Sequence, residues 1–489
     1  MPPGHFLLTK SYAESWNDQA RIATVESLVE HKTLAIDRTK WGVWTGDHAF
    51  LRDHFYATKP PLLSVMGAIS YWILREVVQV TTGQKLTYIK NEDLIYPWVT
   101  LTTSVLAFAL LLVYFYRALH LVSISPAARW WLFWALAVGS LYPAYSTVFN
   151  NHTVAGSCMF IAFYYVARYR LGGRLRWGEA LFAGLAIGFA GVNDYTGALP
   201  FLVLLFLLVA WRDVQGAGLY AKMVSQKGAV LAWTATVLAL GMMLLPRLGH
   251  RGVAVLLFGP VVIAALVSLI LAVRHRPMTL LFLLGILLPV VAHLFFSSRI
   301  TGNWLPTYVQ TDVYIATPPG YFGEVISPEE SGPLSPKRWI YIWTALFGIR
   351  GVFIYTPVLL IGLVAAVVAA FRRSDSLRWE AVAVVLTVLV GWGWVLLFGS
   401  PNFGGTSYGF RYSIPAAPLL IFFCYMIFRN GTAPILQTVF RNAVVWGMLI
   451  ALIAIPGPWG MFSQALPKTD NSVVENLENI VAGLLFRGG

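Results

Sequence analysis

The sequence has few charged residues and almost no cysteine. Of its 489 residues only 12% are charged, whereas a soluble globular protein has about 25%. Its two cysteines, Cys158 and Cys424, lie in apolar segments, so the sequence predicts neither a disulfide framework nor a cysteine-based metal site. It also has no internal repeat or low-complexity tract. The whole sequence is 57% hydrophobic, and its hydrophobic residues are arranged in long runs, which predicts an all-α polytopic membrane protein.

Twelve apolar segments predict a bundle of about 12 transmembrane helices. Each has roughly the 17–25 residues that a helix needs to cross a bilayer, although a few fall short. Their cores are 95–116, 130–148, 153–167, 178–192, 197–211, 229–245, 252–273, 278–297, 351–371, 379–398, 412–428 and 436–458. The pair 178–192 and 197–211 could instead form a tight hairpin or a partly re-entrant segment.

Lysine and arginine are concentrated in alternate loops, which predicts the orientation of the bundle. One set of loops includes four arginines between residues 168 and 176, whereas the short loops of the opposite set hold only Arg247, Arg251 and Arg411. By the positive-inside rule, segment 95–116 starts on the outside. The net charge of +13 then indicates cytoplasmic loops held against anionic headgroups rather than a nucleic-acid partner.

These patterns divide the chain into five regions. Residues 1–80 form an extracytoplasmic first loop with interfacial helices, and 81–298 form transmembrane helices with short loops. Residues 299–350, rich in proline and glycine, form an extracytoplasmic loop or lid. Residues 351–461 form the C-terminal transmembrane helices, and 462–489 an extracytoplasmic tail. The residues alone leave open whether segment 62–80 crosses the membrane or lies in the interface, which would keep the first loop outside.

The first loop carries a dense polar block between residues 16 and 63. Asp18 begins a short amphipathic helix, either as its N-cap or as a general base facing an acceptor hydroxyl. Arg21 lies on the same face of that helix. Pro60 fixes the direction of Lys59, which either holds a lipid phosphate or reaches to the headgroups as an anchor. Three further carboxylates, Asp37, Asp47 and Asp53, are interpreted as loop and turn residues.

Two further outer loops hold candidate residues. Asn150 and His152 stand at the mouth between two spans, and His152 is a hydrogen-bond donor, an acid–base group or a polar end-cap. A single histidine does not make a metal site. In the last loop, Arg411 is suited either to a donor phosphate or to a phospholipid or carboxylate partner, and Arg350 is a weaker candidate for the same phosphate. Asp194 is interpreted as a residue that closes a hairpin.

Together these residues resemble the GT-C superfamily of membrane glycosyltransferases. The resemblance is to the branch that includes protein O-mannosyltransferases and the lipid A aminoarabinose transferase. A DExRY-like pattern corresponds to the residues from Asp18 to Arg21. The later motifs correspond to Tyr56, Lys59, Pro60, Pro61 and Leu62, and to Gly404, Gly405, Gly409, Arg411, Tyr412, Pro415 and Pro418.

The resemblance implies a role for each matched position. Asp18 is the catalytic aspartate and Lys59 binds the donor phosphate, while Arg21 and Tyr56 contact the substrate. Asn150 or His152 represents a second-loop polar group that is often an aspartate in the family. Gln19 replaces a frequent glutamate, so no metal site is expected there.

The resemblance also predicts the topology. The helix after the KPP motif lies along the membrane face, which places the first loop outside. Members have a further span before the first loop, which is not found here, so we expect either a start site placed too late or a shortened chain.

The resulting hypothesis is an inverting glycosyltransferase of the plasma (inner) membrane. The donor is a polyprenyl-phosphate sugar, the acceptor a hydroxyl of a glycan, lipid or protein, and no cofactor is expected. The main alternative is a polytopic transporter or lipid-linked sugar flippase, with charged residues along a translocation path. A third interpretation is a non-catalytic scaffold subunit.

Overall fold

The structure is a computed structural model that describes most of the chain. The described residues are 13–42, 44–214, 277–302, 335–348, 351–398, 407–429 and 432–459. The predicted spans 229–245 and 252–273, the part of the predicted lid from 303 to 334, Arg350 and the tail at 462–489 lie outside the described residues.

The first loop folds into a short helix, a β-hairpin and the start of a long helix. Its elements are α1 (Trp16–Glu26), a π-helical turn (Ser27–His31), β1 (His48–Leu51), β2 (His54–Ala57) and α2 (Pro61–Thr82). The strands are antiparallel, and Arg52 and Asp53 between them both have positive φ, as in a type I′ turn. This hairpin is the only strand pair in the described part of an otherwise helical chain.

The rest of the described chain is helical. The helices are α3 (Tyr88–Thr100), α4 (Leu106–Ala118), α5 (Pro126–Ala137), α6 (Tyr142–Ser146), α7 (Asn151–Arg170), α8 (Trp177–Asn193), α9 (Tyr195–Val214), α10 (Pro277–Thr301), α11 (Pro336–Leu346), α12 (Val352–Tyr355), α13 (Val358–Phe371), α14 (Arg378–Phe398), α15 (Ala417–Phe423) and α16 (Pro434–Ala454). A π-helical turn joins α3 and α4, and 3₁₀ turns flank α15.

Seven helical segments in the described part are long and apolar enough to cross a membrane. They are Pro61–Thr82, Tyr88–Leu121, Tyr195–Arg212, Met278–Thr301, Arg378–Phe398, Arg411–Phe428 and Pro434–Ala454. The coarse prediction of a mostly helical chain is therefore confirmed, and seven of its described helices could span a membrane. The first of these is α2, whose length and composition suit a crossing, so its interfacial placement stays a prediction.

Two predicted spans are not single helices. Segment 130–148 is divided between α5 and α6, because the chain leaves the helical conformation at Val138 and re-enters at Tyr142. Segment 351–371 is divided between α12 and α13 around Thr356 and Pro357, since proline has no backbone N–H to continue a helix. The length of an apolar segment alone does not predict where a helix within it is interrupted.

Helix α7 packs against α4, α8, α9 and α15 and is buried along most of its length. Its aromatic residues Phe160 and Phe163 pack on Phe422, with ring centroids 6.0 Å and 5.2 Å apart. Its amino-terminal end instead buries polar residues, including His152 and Thr153. This polar end lies beside the start of α9, because His152 contacts Asp194, the single residue that separates α8 from α9.

A buried acidic network fixes the first loop to the helices behind it. Glu26 at the end of α1 accepts the Lys40 N–H at 3.0 Å, and its other carboxylate oxygen has no hydrogen-bond donor among the described residues. Nearby, Glu30 accepts the Tyr71 hydroxyl at 2.7 Å. Burial raises the pKa of Glu26 to about 8, with a further contribution from Glu30 and Glu92, against the lowering effect of the Lys40 hydrogen bond.

The Glu26 network predicts that stability depends on pH. Because the pKa of Glu26 is higher in the folded protein than the ordinary 4.5, its contribution to stability is complete below pH 4.5 and is lost as the pH rises through about 8. We expect thermal unfolding of the purified protein to show a Glu26-dependent loss on the order of a few kcal/mol over this range. Glu26→Gln should remove that dependence, whereas Glu76→Gln on the exposed face of α2 should keep it. The same slope in both variants would contradict the assignment.

Helices α8 and α10 approach closely along a row of glycines. A Cβ atom on Gly184 would lie 2.0 Å from the Phe282 carbonyl oxygen, and one on Gly285 would lie 2.3 Å from the Leu181 carbonyl oxygen. Backbone contacts of this kind allow apolar helices to pack where lipid competes with side chains.

We expect Gly184→Ala to separate α8 from α10 and to destabilise the protein by about 1–3 kcal/mol, the usual cost of overpacking. Gly178→Ala is the matched control on the same helix, because a Cβ there meets nothing within 4 Å. Thermal unfolding in detergent compares the two variants. Equal melting temperatures would show that the close contact contributes no stability.

Candidate functional site

Asp18 lies inside the first turn of α1, in a capping box whose N-cap is Ser15. Its carboxylate accepts the Ser15 N–H at 2.7 Å, the Ser15 hydroxyl at 2.6 Å, the Glu14 N–H at 3.2 Å and the Tyr96 hydroxyl at 2.9 Å. These donors use the four acceptor sites of a carboxylate. Asp18 is completely buried, and burial raises its pKa against the opposing effect of the hydrogen bonds from Ser15 and Tyr96.

Arg21 connects α1 to the KPP motif. Its Nη1 donates to the Pro60 carbonyl at 3.3 Å, and its Nε donates to the Asn17 side chain at 3.1 Å. The side chain is only 1% exposed. One turn of helix therefore separates Asp18 from a buried cation that contacts the residue next to Lys59.

The hairpin brings Asp47 to Lys59. Because His48 pairs with Ala57, Asp47 lies opposite Thr58, which donates its N–H and its hydroxyl to the Asp47 carbonyl at 3.0 Å and 3.1 Å. The Lys59 ammonium then lies 2.7 Å from the Asp47 carboxylate. Both side chains are mostly buried, at 12% exposed for Lys59 and 21% for Asp47. Lys59 is thus held by a carboxylate at the start of α2.

The other polar residues of the hairpin support its backbone. Asp37 accepts the Phe55 N–H at 2.9 Å, and Asp53 occupies the turn. Tyr56, the third residue of β2, pairs with Ala49, and its ring packs edge-on against His54. The structure thus places Tyr56 on the hairpin, three residues before Lys59.

The second loop contributes a histidine–aspartate pair. Asn150 is the N-cap of α7 and accepts the Thr153 N–H at 3.0 Å, so its side chain holds the helix start. His152 Nδ1 lies 2.6 Å from the Asp194 carboxylate, and both side chains are almost completely buried. Asp194 also accepts the Gly197 N–H at 3.0 Å and so caps α9. This pair connects the starts of two helices.

Arg411 approaches the same region from the other side. Its guanidinium lies 5.4 Å from the ring centroids of both Tyr412 and Trp459, and its charge interacts with that of Asp47. The Tyr412 ring packs 5.6 Å from His152. Arg411 Nε is buried without a hydrogen-bond partner among the described residues.

The starts of three long helices converge on these side chains. The Leu63 N–H in the first turn of α2 donates to the Asn193 side chain at 3.3 Å, just before α9. Asn151 at the start of α7 donates to the Asn193 carbonyl at 2.9 Å. The amino-terminal ends of α2, α7 and α9 carry partial positive charge, which adds to that of Arg21, Lys59 and Arg411, whereas the carboxyl end of α8 at Asn193 carries partial negative charge. The arrangement is suited to binding an anion.

Most of the residues that the sequence singled out are therefore neighbours at one end of the bundle. Arg21, Lys59, His152 and Arg411 are connected by the contacts above. Asn150 has a capping role, and Asp18 lies behind Arg21 in a closed set of hydrogen bonds. Arg350 lies outside the described residues.

The structure adds two residues that sequence reasoning interpreted as loop residues. Asp47 pairs with Lys59, and Asp194 pairs with His152. The aromatic residues Phe50, Phe55 and Tyr56 on either side of the polar pair Arg52 and Asp53 are the available signal for the hairpin, and hence for the position of Asp47.

Neither a metal site among the described residues nor similarity to a known protein identifies the function of this chain. No group of three or more His, Cys, Asp or Glu side chains among the described residues could hold a metal ion. Comparison with protein-family models, curated proteins and solved structures finds no match to this chain.

Proposed function

We propose that this protein is an integral membrane glycosyltransferase. It moves a sugar from a polyprenyl-phosphate donor to a hydroxyl of a glycan, lipid or protein on the extracytoplasmic face, with inversion. The observation that supports this best is the cation cluster, formed by Arg21, Lys59 and Arg411 at the starts of three helices in an apolar bundle.

A lipid phosphate fits this cluster on physical grounds. Its charge is compensated by fixed cations and helix ends, and guanidinium groups bind phosphate oxygens in a bidentate manner. Its hydrocarbon chain can lie on apolar residues that α2 exposes nearby, including Ile69, Trp72 and Ile73.

The same cations favour departure of the phosphate. In a single displacement, the acceptor oxygen bonds to the anomeric carbon while the bond from that carbon to the phosphate oxygen breaks. The bonding electrons leave with polyprenyl phosphate, whose growing charge Lys59 and Arg411 stabilise. The acceptor proton passes to a carboxylate, which by resemblance is Asp18, and its raised pKa suits a group that must accept a proton near neutral pH. Because Ser15, Glu14 and Tyr96 occupy its acceptor sites in the structure, one of these hydrogen bonds must open before Asp18 accepts the proton.

The proposal predicts that the two cations are needed for transfer. We expect Lys59→Gln and Arg411→Gln each to reduce transfer by about tenfold or more, because each removes charge that stabilises the leaving phosphate. The assay incubates the purified protein with radiolabelled polyprenyl-phosphate sugars and membrane extract, and measures donor consumption. Lys85→Gln, an exposed lysine beyond the end of α2, is the matched control and should retain activity.

Two outcomes would contradict this proposal. If both variants consume the donor as fast as the unaltered protein does, the cation cluster has no role in the reaction. Movement of the lipid-linked sugar across a vesicle membrane without its consumption would instead support the transporter or flippase.

Asp18 is tested by a separate pair of variants. If Asp18 accepts the proton, Asp18→Asn should lower transfer by about 10²–10⁴-fold while donor binding persists. Tyr96→Phe removes one donor to Asp18 but keeps the carboxylate, so it should retain most of the activity. Because the introduced amide would face the N–H donors of Ser15 and Glu14, thermal unfolding must first show that Asp18→Asn is folded. Full activity in the folded variant would exclude Asp18 as the base.

A further inference from the structure

We propose that Asp47 is an internal substitute for the donor phosphate. Its carboxylate holds Lys59 until the donor arrives and afterwards weakens binding of the phosphate product. This inference rests on the proposed function and assigns to Asp47 a positioning and specificity role in it.

The ion pair occupies the position where the phosphate is expected. The Asp47 carboxylate lies 2.7 Å from the Lys59 ammonium and interacts electrostatically with Arg411. One carboxylate therefore pairs with Lys59 and also lies within electrostatic range of Arg411, the two cations assigned to the phosphate. A phosphate that binds both cations must compete with Asp47 for them.

A ligand can displace the Asp47 carboxylate from Lys59, whereas the Asp18 carboxylate is held in place. The Asp47 side chain is 21% exposed and sits at the edge of the site, whereas Asp18 is completely buried and accepts four hydrogen bonds. The Asp47 main chain is fixed because Thr58 donates to its carbonyl with both its N–H and its hydroxyl. Displacement therefore requires rotation of one side chain and leaves the hairpin in place.

The fixed backbone keeps the displaced carboxylate near the ligand, and this affects donor and product differently. The donor is a phosphodiester with one negative charge. The product, polyprenyl phosphate, is a monoester that carries nearly two at neutral pH. Repulsion from Asp47 therefore acts on about twice the charge in the product. Without Asp47, a cluster of three cations would hold the dianionic product more tightly than the donor.

The test measures binding separately from transfer. The probes are farnesyl phosphate, a monoester like the product, and farnesyl methyl phosphate, a diester like the donor. Both are titrated into the full chain in nanodiscs, with Asp47→Asn as the test variant. Asp53→Asn is the matched control, because it removes the same charge from the exposed turn of the same hairpin, and asparagine tolerates the positive φ found there.

We expect Asp47→Asn to bind farnesyl phosphate about tenfold more tightly and the diester by a smaller factor. Both gains should shrink at high salt, since they are electrostatic. Asp53→Asn should bind both probes as the unaltered protein does. Transfer by Asp47→Asn should continue through the first turnover and then slow, as product accumulates in the site.

Different results separate failure of this inference from failure of the proposed function. Unchanged or weaker farnesyl phosphate binding in Asp47→Asn overturns the role of Asp47, even if sugar transfer is observed. Loss of the first turnover with unchanged binding also overturns it, because that is the behaviour of a proton acceptor. If the unaltered protein binds neither probe and consumes no donor, the proposed function fails together with this inference.

Discussion

Burial of positive charge is the constraint on which one end of this protein depends. A cation removed from water needs compensation, and each of the three here receives it differently. Arg21 donates to a carbonyl and an amide, Lys59 pairs with Asp47, and Arg411 lies against two aromatic rings. The first loop supplies most of these partners, so the folding of this loop also determines how the buried positive charge of the site is compensated.

Local sequence signals predict the parts of this end that depend on neighbouring residues. Asp18 lies in the first turn of the short helix that the sequence predicts, and Pro61 starts α2 as proline does at the first helical position. The sequence predicts only loop roles for Asp47 and Asp194, because their partners are set by hairpin register and by helix packing across 42 residues. Apolar length predicted most helices, but it did not reveal the interruption between α5 and α6.

Helix α7 shows why hydropathy alone underestimates this architecture. It is largely buried, yet it is not among the seven segments apolar enough to cross a membrane. Its buried amino-terminal end carries Asn151, His152 and Thr153, which lower its hydropathy. A helix that positions polar groups inside an apolar bundle necessarily has a lower mean hydropathy than the helices around it.

The charged pairs of α7 lie only at its two ends. His152 and its partner Asp194 lie at one end of α7, and Arg170 pairs with Glu380 at the other, roughly 27 Å away along the helix axis. From 153 to 167 the helix has no charged residue, and its middle packs two phenylalanines against Phe422. A path for a polar headgroup needs polar groups at intermediate depth. The middle of α7 packs aromatic residues there instead, so the transfer that we propose needs no path along this helix.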